Sequence, residues 1–322
     1  MAMATAVSLA LAITPAARKL HSSAFVFDAH VHVIDRQFHH GGNIGQACQT
    51  ASSTCPVRNR IHRSGKIAAV LDLEGGFDLD GDLGVRRNLY RLGLRSAQLP
   101  AHNWANRFAD SYCSSIAKNH GLNQRGLAIV REMNRLGMVV NVSHASDETF
   151  MQTLEVSSVP IVATQHGMRA LNHISRNMPD DLMRKIAARG GVIGFQIGNE
   201  FNNREAYDYQ TSHAGKPFWD TGEIAGRNGQ LSIDEIDKIV APRFPIVGFD
   251  IPQCLLLTPE GWIEVLERAI GIAGEDHIAI GTDFDGGPTP RAESKASRIS
   301  RFSQKPCSLA AGRKRASEKC ST

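Results

Sequence analysis

The sequence predicts an α/β fold, a TIM-type (β/α)8 barrel in which the region of the second strand is missing. Two observations support this. Apolar, β-branched runs of strand length alternate with helical patterns from residue 26 to residue 282, which implies a parallel sheet. Polar residues able to bind a metal or move a proton recur at the C-terminal ends of those runs, and in a barrel these ends converge on one mouth. No GxGxxG follows the first run and no P-loop occurs, so the nucleotide-binding versions of a doubly wound sheet lose their usual support.

The first strand is read at 26–33, where His30 and His32 stand two apart. Side chains two apart on a strand project the same way, so both imidazoles can meet one ion. Residues 45–66, "GQACQTASSTCPVRNRIHRSGK", are polar and patternless, and an eighth strand is missing from the pattern. A strand at 67–73 ends on Glu74, and two glycines after it allow other groups to approach closely. A helix at 83–92 leads to a strand at 94–99, with His102 beyond it. A helix at 124–136 precedes a strand at 138–142, with His144 at its end, and a helix at 147–156 precedes a strand at 160–164, with His166 beyond it. A helix at 180–189 precedes a strand at 191–197, and a helix at 259–273 precedes a strand at 277–282, followed by Asp283. Gly137, Gly190 and Gly274 follow three of the helices, where a left-handed residue ends a helix. The stretch 199–230, rich in Gly, Asn, Asp and aromatics, suits a long loop over the barrel mouth.

With 322 residues, 42% of them hydrophobic, the chain can bury a large core. The net charge of +4 is unevenly spread: residues 291–322 hold 9 Lys/Arg against 2 Asp/Glu, a surplus of +7 that leaves −3 for residues 1–290. Nucleic-acid binding by the main domain is therefore unsupported. Six scattered cysteines without a CxxC pair exclude a disulfide scaffold, and no apolar run reaches the roughly 18 residues of a membrane span. The expected organisation is a leader at 1–25, too weak as a signal to fix a compartment, a hydrolase barrel at 26–287 and a basic, disordered tail at 288–322.

Hydrolysing an amide at neutral pH needs a strong nucleophile and a group that holds the charge developing on the carbonyl oxygen. Two metal ions about 3.5–4 Å apart supply both, given histidines for each ion and a carboxylate between them. Glu74 is the natural bridge, and His144 and His166 each close a strongly apolar strand. Asp283, in "IAIGTDFDGG", can take a proton from the attacking water and pass it to the leaving amine, whereas Asp285 better suits an Asx turn.

The segments "GLAIVREMNRLGMVVNVSHASDETFMQTLEVSSVPIVATQHGMRAL", "SRNMPDDLMRKIAARGGVIGF" and "HIAIGTDFDGG" resemble the membrane (renal-type) dipeptidase family of zinc metallopeptidases. The resemblance implies a zinc-dependent (β/α)8 barrel that cleaves dipeptides with two Zn2+ ions. It places one ion on His30, His32 and Glu74, and the other on Glu74, His144 and a second histidine. His102 matches the histidine that steadies the oxyanion, Arg176 the arginine that grips the substrate's terminal carboxylate, and Asp283 the acid/base aspartate. The chain departs from the family in two places. His-x-His replaces His-x-Asp in the first strand, and a gapless comparison puts Gln165 on the ligand position with His166 one residue late. A one-residue slip turns a strand side chain to the opposite face, so His166 reaches the site only through a bulge. The competing readings are another amidohydrolase on the same barrel and a non-catalytic relative whose barrel does not close. Small dipeptides are the expected partners, and a homodimer is left open.

Overall fold

A computed structural model of the chain describes residues 14–16, 19, 28–30, 70–74, 81–99, 108–112, 120–214 and 251–283. His32, His102, Asp285, the patternless stretch 45–66 and the basic tail lie outside the described residues. By contacts the chain divides into Phe27–Arg291 and a unit made of Met1–Val26 with Ala292–Thr322. All elements named below belong to the first.

Six parallel strands form one sheet in sequence order: β1 Asp72–Leu73, β2 Ser96–Gln98, β3 Val139–Asn141, β4 Val162–His166, β5 Val192–Phe195 and β6 Ile278–Ile280. Beyond β6 the ladder continues to the first sequence segment, because Asp28 bridges Ile280 in parallel and Ala29 N donates to Ile280 O at 2.6 Å. The two ends of this ladder, residues 28–30 and β1, carry side chains that meet: His30 Nε2 lies 3.2 Å from Glu74 Oε2. A flat sheet would hold its edges some 25–30 Å apart at roughly 4.8 Å per strand, so the sheet is rolled toward a barrel. Among the described residues it is not closed, and the expected second strand falls outside them.

Five of the helices described follow the predicted patterns, and two lie where a loop was expected. They are α1 Leu83–Arg91, α2 Gln124–Leu136, α3 Asp147–Val156, α4 Asp180–Ala188, α5 Asn199–Asn202, α6 Arg204–Ala214 and α7 Pro259–Ala273. Their starts are capped by side chains that accept orphan backbone N–H groups: Asp82 for α1, Asn123 for α2, Ser146 for α3 and Thr258 for α7. Gly137 ends α2 in the left-handed region at φ 73°, where a residue with a Cβ would be strained.

The loop expected over 199–230 is instead helical in its first part, as α5 and α6. Ala206, Tyr207 and Gln210 are buried at helical spacing, and Arg204 pairs with Asp208 one turn on at 2.8 Å. The Asn residues before α6 and the Gly residues after it make the whole stretch look like a loop. No helix among the described residues is long and apolar enough to cross a membrane.

Alternation along the strands separates two layers. Ala97, Val140, Ala163 and Ile193 join Ile129, Met133, Phe150, Met183, Ile186 and Val265 of the helices in one apolar core. The next residues, Gln98, Asn141, Thr164 and Gly194, take the opposite face. There the backbones of β4, β5 and β6 crowd together, and a Cβ on Gly194 or Gly281 would collide with the Thr164 carbonyl oxygen.

A charged side chain packs into this core. Arg86 of α1 is fully buried, its NH1 group reaches the Met133 sulfur at 3.4 Å, and its Nε and NH2 have no hydrogen-bond partner among the described residues. Burial lowers its pKa to about 10. Near neutral pH the guanidinium therefore stays charged in the folded state at a cost of about 3 kcal/mol. Arg86→Met removes this cost while keeping a long, flexible side chain. The variant is expected to gain about 1–3 kcal/mol of stability, read as a melting temperature several degrees higher. A lower melting temperature would show that the guanidinium is satisfied. Nearby, Glu132 accepts from Arg135 at 2.7 Å and from Arg87 at 2.6 Å, and these partners hold its pKa down to about 2.

Candidate active site

The C-terminal ends of the strands place His30, Glu74, His144, Gln165 and Asp283 around one small volume. Glu74 follows β1 and joins both histidines: its Oε2 is 3.2 Å from His30 Nε2, and its Oε1 is 2.8 Å from His144 Nε2. Asp283 Oδ1 lies 3.7 Å from His30 Nε2. His30, His144 and Asp283 are buried, so these contacts act in a medium less screening than water.

Two of these residues adopt backbone conformations uncommon outside glycine. His144 has φ 65° and Asp283 has φ 54°, both in the left-handed region just after a strand. His and Asp are among the few side chains that tolerate it, and such geometry clusters at functional sites. It turns each side chain back over the strand end. Hydrogen bonds hold the chain there, from Asp283 N to His30 O at 3.0 Å and from Tyr112 N to His144 O at 2.9 Å. Asp28 secures the same junction by accepting from Thr282 N at 2.9 Å, Thr282 Oγ1 at 2.7 Å and His30 N at 3.2 Å. Burial raises the Asp28 pKa against these hydrogen bonds.

Beneath the cluster lies a polar layer. Asn141 Nδ2 donates to Thr164 Oγ1 at 2.8 Å and to Asp72 Oδ2 at 3.1 Å. Ser143 Oγ accepts from Thr164 N at 2.8 Å and from Gln165 N at 3.2 Å. Thr164 Oγ1 is 3.4 Å from His30 Nδ1, an approach that steers the opposite nitrogen, Nε2, toward Glu74 and Asp283. Asp72, Asn141 and Thr164 stand inside otherwise apolar strands. That is the one sequence signal that could have marked this supporting layer.

Strand β4 changes register between Ala163 and His166. The irregularity turns Gln165 as well as Thr164 toward His30. Gln165 Nε2 lies 2.9 Å from Glu74 Oε1, 3.2 Å from His30 Nε2 and 3.4 Å from His144 Nε2. His166 stands beside Arg176 instead, with Nδ1 3.4 Å from NH1. Burial, reinforced by the guanidinium of Arg176, drives the His166 pKa well below the usual imidazole value, so the ring is neutral. Arg176, also buried, donates from NH2 to Gln165 O at 2.8 Å, and the same group lies 3.2 Å from His144 Nε2.

The donors suit a divalent ion in part. Two ligands on one zinc at about 2.0–2.2 Å stand roughly 3.4 Å apart at the tetrahedral angle. The separations of His30 from Glu74 and from Asp283, 3.2 and 3.7 Å, bracket that figure. No group of three His, Cys, Asp or Glu side chains among the described residues is arranged to hold an ion, and His32 lies outside them. The separations fit pairwise.

Residues 49–304 match the family model for membrane dipeptidase, peptidase family M19. The dipeptidase verJ of Clonostachys rogersoniana is 40% identical over 133 residues, which are 41% of this chain and 34% of that one, so the match spans about a third of the relative. Among solved structures, the probable dipeptidase PvdM of Pseudomonas aeruginosa superposes with a TM-score of 0.62 at 22% identity, covering 79% of this chain and 65% of that one. A metallo peptidase of Rhodobacter sphaeroides, liganded with a phosphinate mimic of the dipeptide L-Ala-D-Ala, gives 0.51 at 23% identity over 76% and 57% of the two chains. At such identities the structures bear on the fold alone, and they agree with the rolled parallel sheet. The family model covers most of the chain and includes Glu74, His144, Arg176 and Asp283, and on that match the chain belongs to the membrane dipeptidase family of metallopeptidases.

Proposed function

We propose that the chain is a zinc-dependent dipeptidase that hydrolyses the peptide bond of small dipeptides with a metal-activated water. The observation that carries this reading is the convergence of His30, Glu74, His144 and Asp283, from four separate strand ends, at N···O separations of 2.8–3.7 Å. His30, His32 and Glu74 would hold zinc, which supplies a lowered pKa for water and polarises the substrate carbonyl. Asp283 takes the proton that the attacking water loses and returns it to the leaving amine nitrogen as the C–N bond breaks, leaving a carboxylic acid and an amine. Arg176 presents a planar guanidinium for the free carboxylate of the dipeptide. His102, carried over from the family pattern, steadies the charge on the carbonyl oxygen. On this reading the preference for unblocked dipeptides is tied to Arg176.

The test is removal and return of the metal. Full-length protein treated with a strong chelator is expected to lose hydrolysis of unblocked dipeptides and to regain it with added zinc. Hydrolysis that survives chelation, or a folded, zinc-loaded protein inactive on a panel of dipeptides, would overturn the reading.

A further inference from the structure

We infer that the chain holds a single divalent ion, on the His30, Glu74 and Asp283 side of the cluster, and that the Gln165 amide and the Arg176 guanidinium take the place of a second ion on the His144 side. The inference rests on the metal-hydrolase reading above and concerns how many ions that site takes.

The amide nitrogen of Gln165 points at the two atoms a second ion would have to join, lying 2.9 Å from Glu74 Oε1 and 3.4 Å from His144 Nε2. An amide NH2 group carries two donor hydrogens and no lone pair to offer a cation. Turning the amide over would present the oxygen, but Oε1 is already held by the hydroxyl of Thr164. That hydroxyl donates to Oε1 while its oxygen accepts from Asn141 Nδ2 at 2.8 Å. Gln165 is fully buried, so water cannot satisfy a displaced amide. On the other flank, Arg176 NH2 lies 3.2 Å from His144 Nε2 within the same buried volume. A dication on His144 would face a permanent positive charge one contact away, with little solvent to screen it.

On the other side the Gln165 amide also stands 3.2 Å from His30 Nε2, but the charges facing that nitrogen are carboxylates rather than a guanidinium. His30 Nε2 is turned toward the carboxylates of Glu74 and Asp283, and its Nδ1 approaches Thr164 at 3.4 Å, the arrangement that supports a histidine bound to a metal.

The experiment counts ions. Full-length protein is stripped, reloaded with excess Zn2+, desalted and measured for metal per chain by elemental analysis and native mass spectrometry. The wild type is expected to retain one ion, and Gln165→His, which exchanges the amide for an imidazole beside Glu74 and His144, is expected to retain two. Two ions in the wild type, or one in a Gln165→His variant that melts like the wild type, would overturn the inference. Should that variant not fold, the wild type decides the matter after loading with Mn2+. An isolated six-line electron paramagnetic resonance spectrum is expected, and an exchange-coupled pair would refute the single ion. A folded wild type that retains no ion at all overturns the metal-hydrolase reading itself, an outcome distinct from a wrong count.

Discussion

Glu74→Gln is expected to lower kcat/KM for an unblocked dipeptide by about a thousandfold or more and to empty the protein of metal. A thousandfold is roughly 4 kcal/mol of transition-state stabilisation. Glu74 is the one carboxylate among the described residues that touches both His30 and His144, at 3.2 and 2.8 Å, and it also accepts from Gln165 at 2.9 Å. The substitution keeps the side chain's size, removes its charge and puts an amide where the proposed site needs an anion to balance an ion. Two buried imidazoles and a second amide cannot hold a dication without that charge. Metal content after dialysis and steady-state kinetics check the expectation together, with a thermal melt to confirm folding. Wild-type metal content in Glu74→Gln would show that the ion, if bound, sits elsewhere.

Much of this arrangement was legible in the sequence because barrel geometry ties function to strand ends. Glu74, His144 and Asp283 follow β-branched runs, and the fold needed only those runs to be parallel for the three to meet. The helices at 124–136, 147–156 and 259–273 were legible to the residue, since capping residues and an apolar stripe mark them independently. Two features were not legible. The burial of α6 depends on tertiary neighbours, and its composition imitates a loop. The register change between β4 and β5 at residues 163–166 is invisible to strand periodicity, which assumes unbroken alternation, although the gapless comparison already placed Gln165 on the ligand position and His166 one residue late. A ligand expectation at His166 thus turned on one local irregularity. The structure sets His166 against Arg176 and Gln165 against Glu74. The left-handed backbone of His144 and Asp283 is likewise invisible to propensity, although it decides where both side chains point.

Arg176→Ala is expected to cut kcat/KM for a dipeptide with a free C-terminal carboxylate by about a hundredfold or more, while an amidated dipeptide changes far less. Two charge-assisted hydrogen bonds from a planar guanidinium at roughly 1.5–3 kcal/mol each cover that loss. Arg176 also has a structural share, because its NH2 group donates to the Gln165 carbonyl at 2.8 Å and lies beside His144. Deleting the side chain therefore loosens the end of β4, and a general loss of activity would follow from that alone. The preference for free over amidated substrate separates the two effects, since a loosened strand end penalises both substrates equally whereas a lost carboxylate partner penalises only the free one. Arg176→Lys sharpens the comparison: it retains a positive charge but not the parallel pair of donors, so its preference should fall between those of the wild type and the alanine variant. If the preference is unchanged in both variants while the melts match the wild type, Arg176 is a buried support for the Gln165 carbonyl, and the substrate's carboxylate is held by another group.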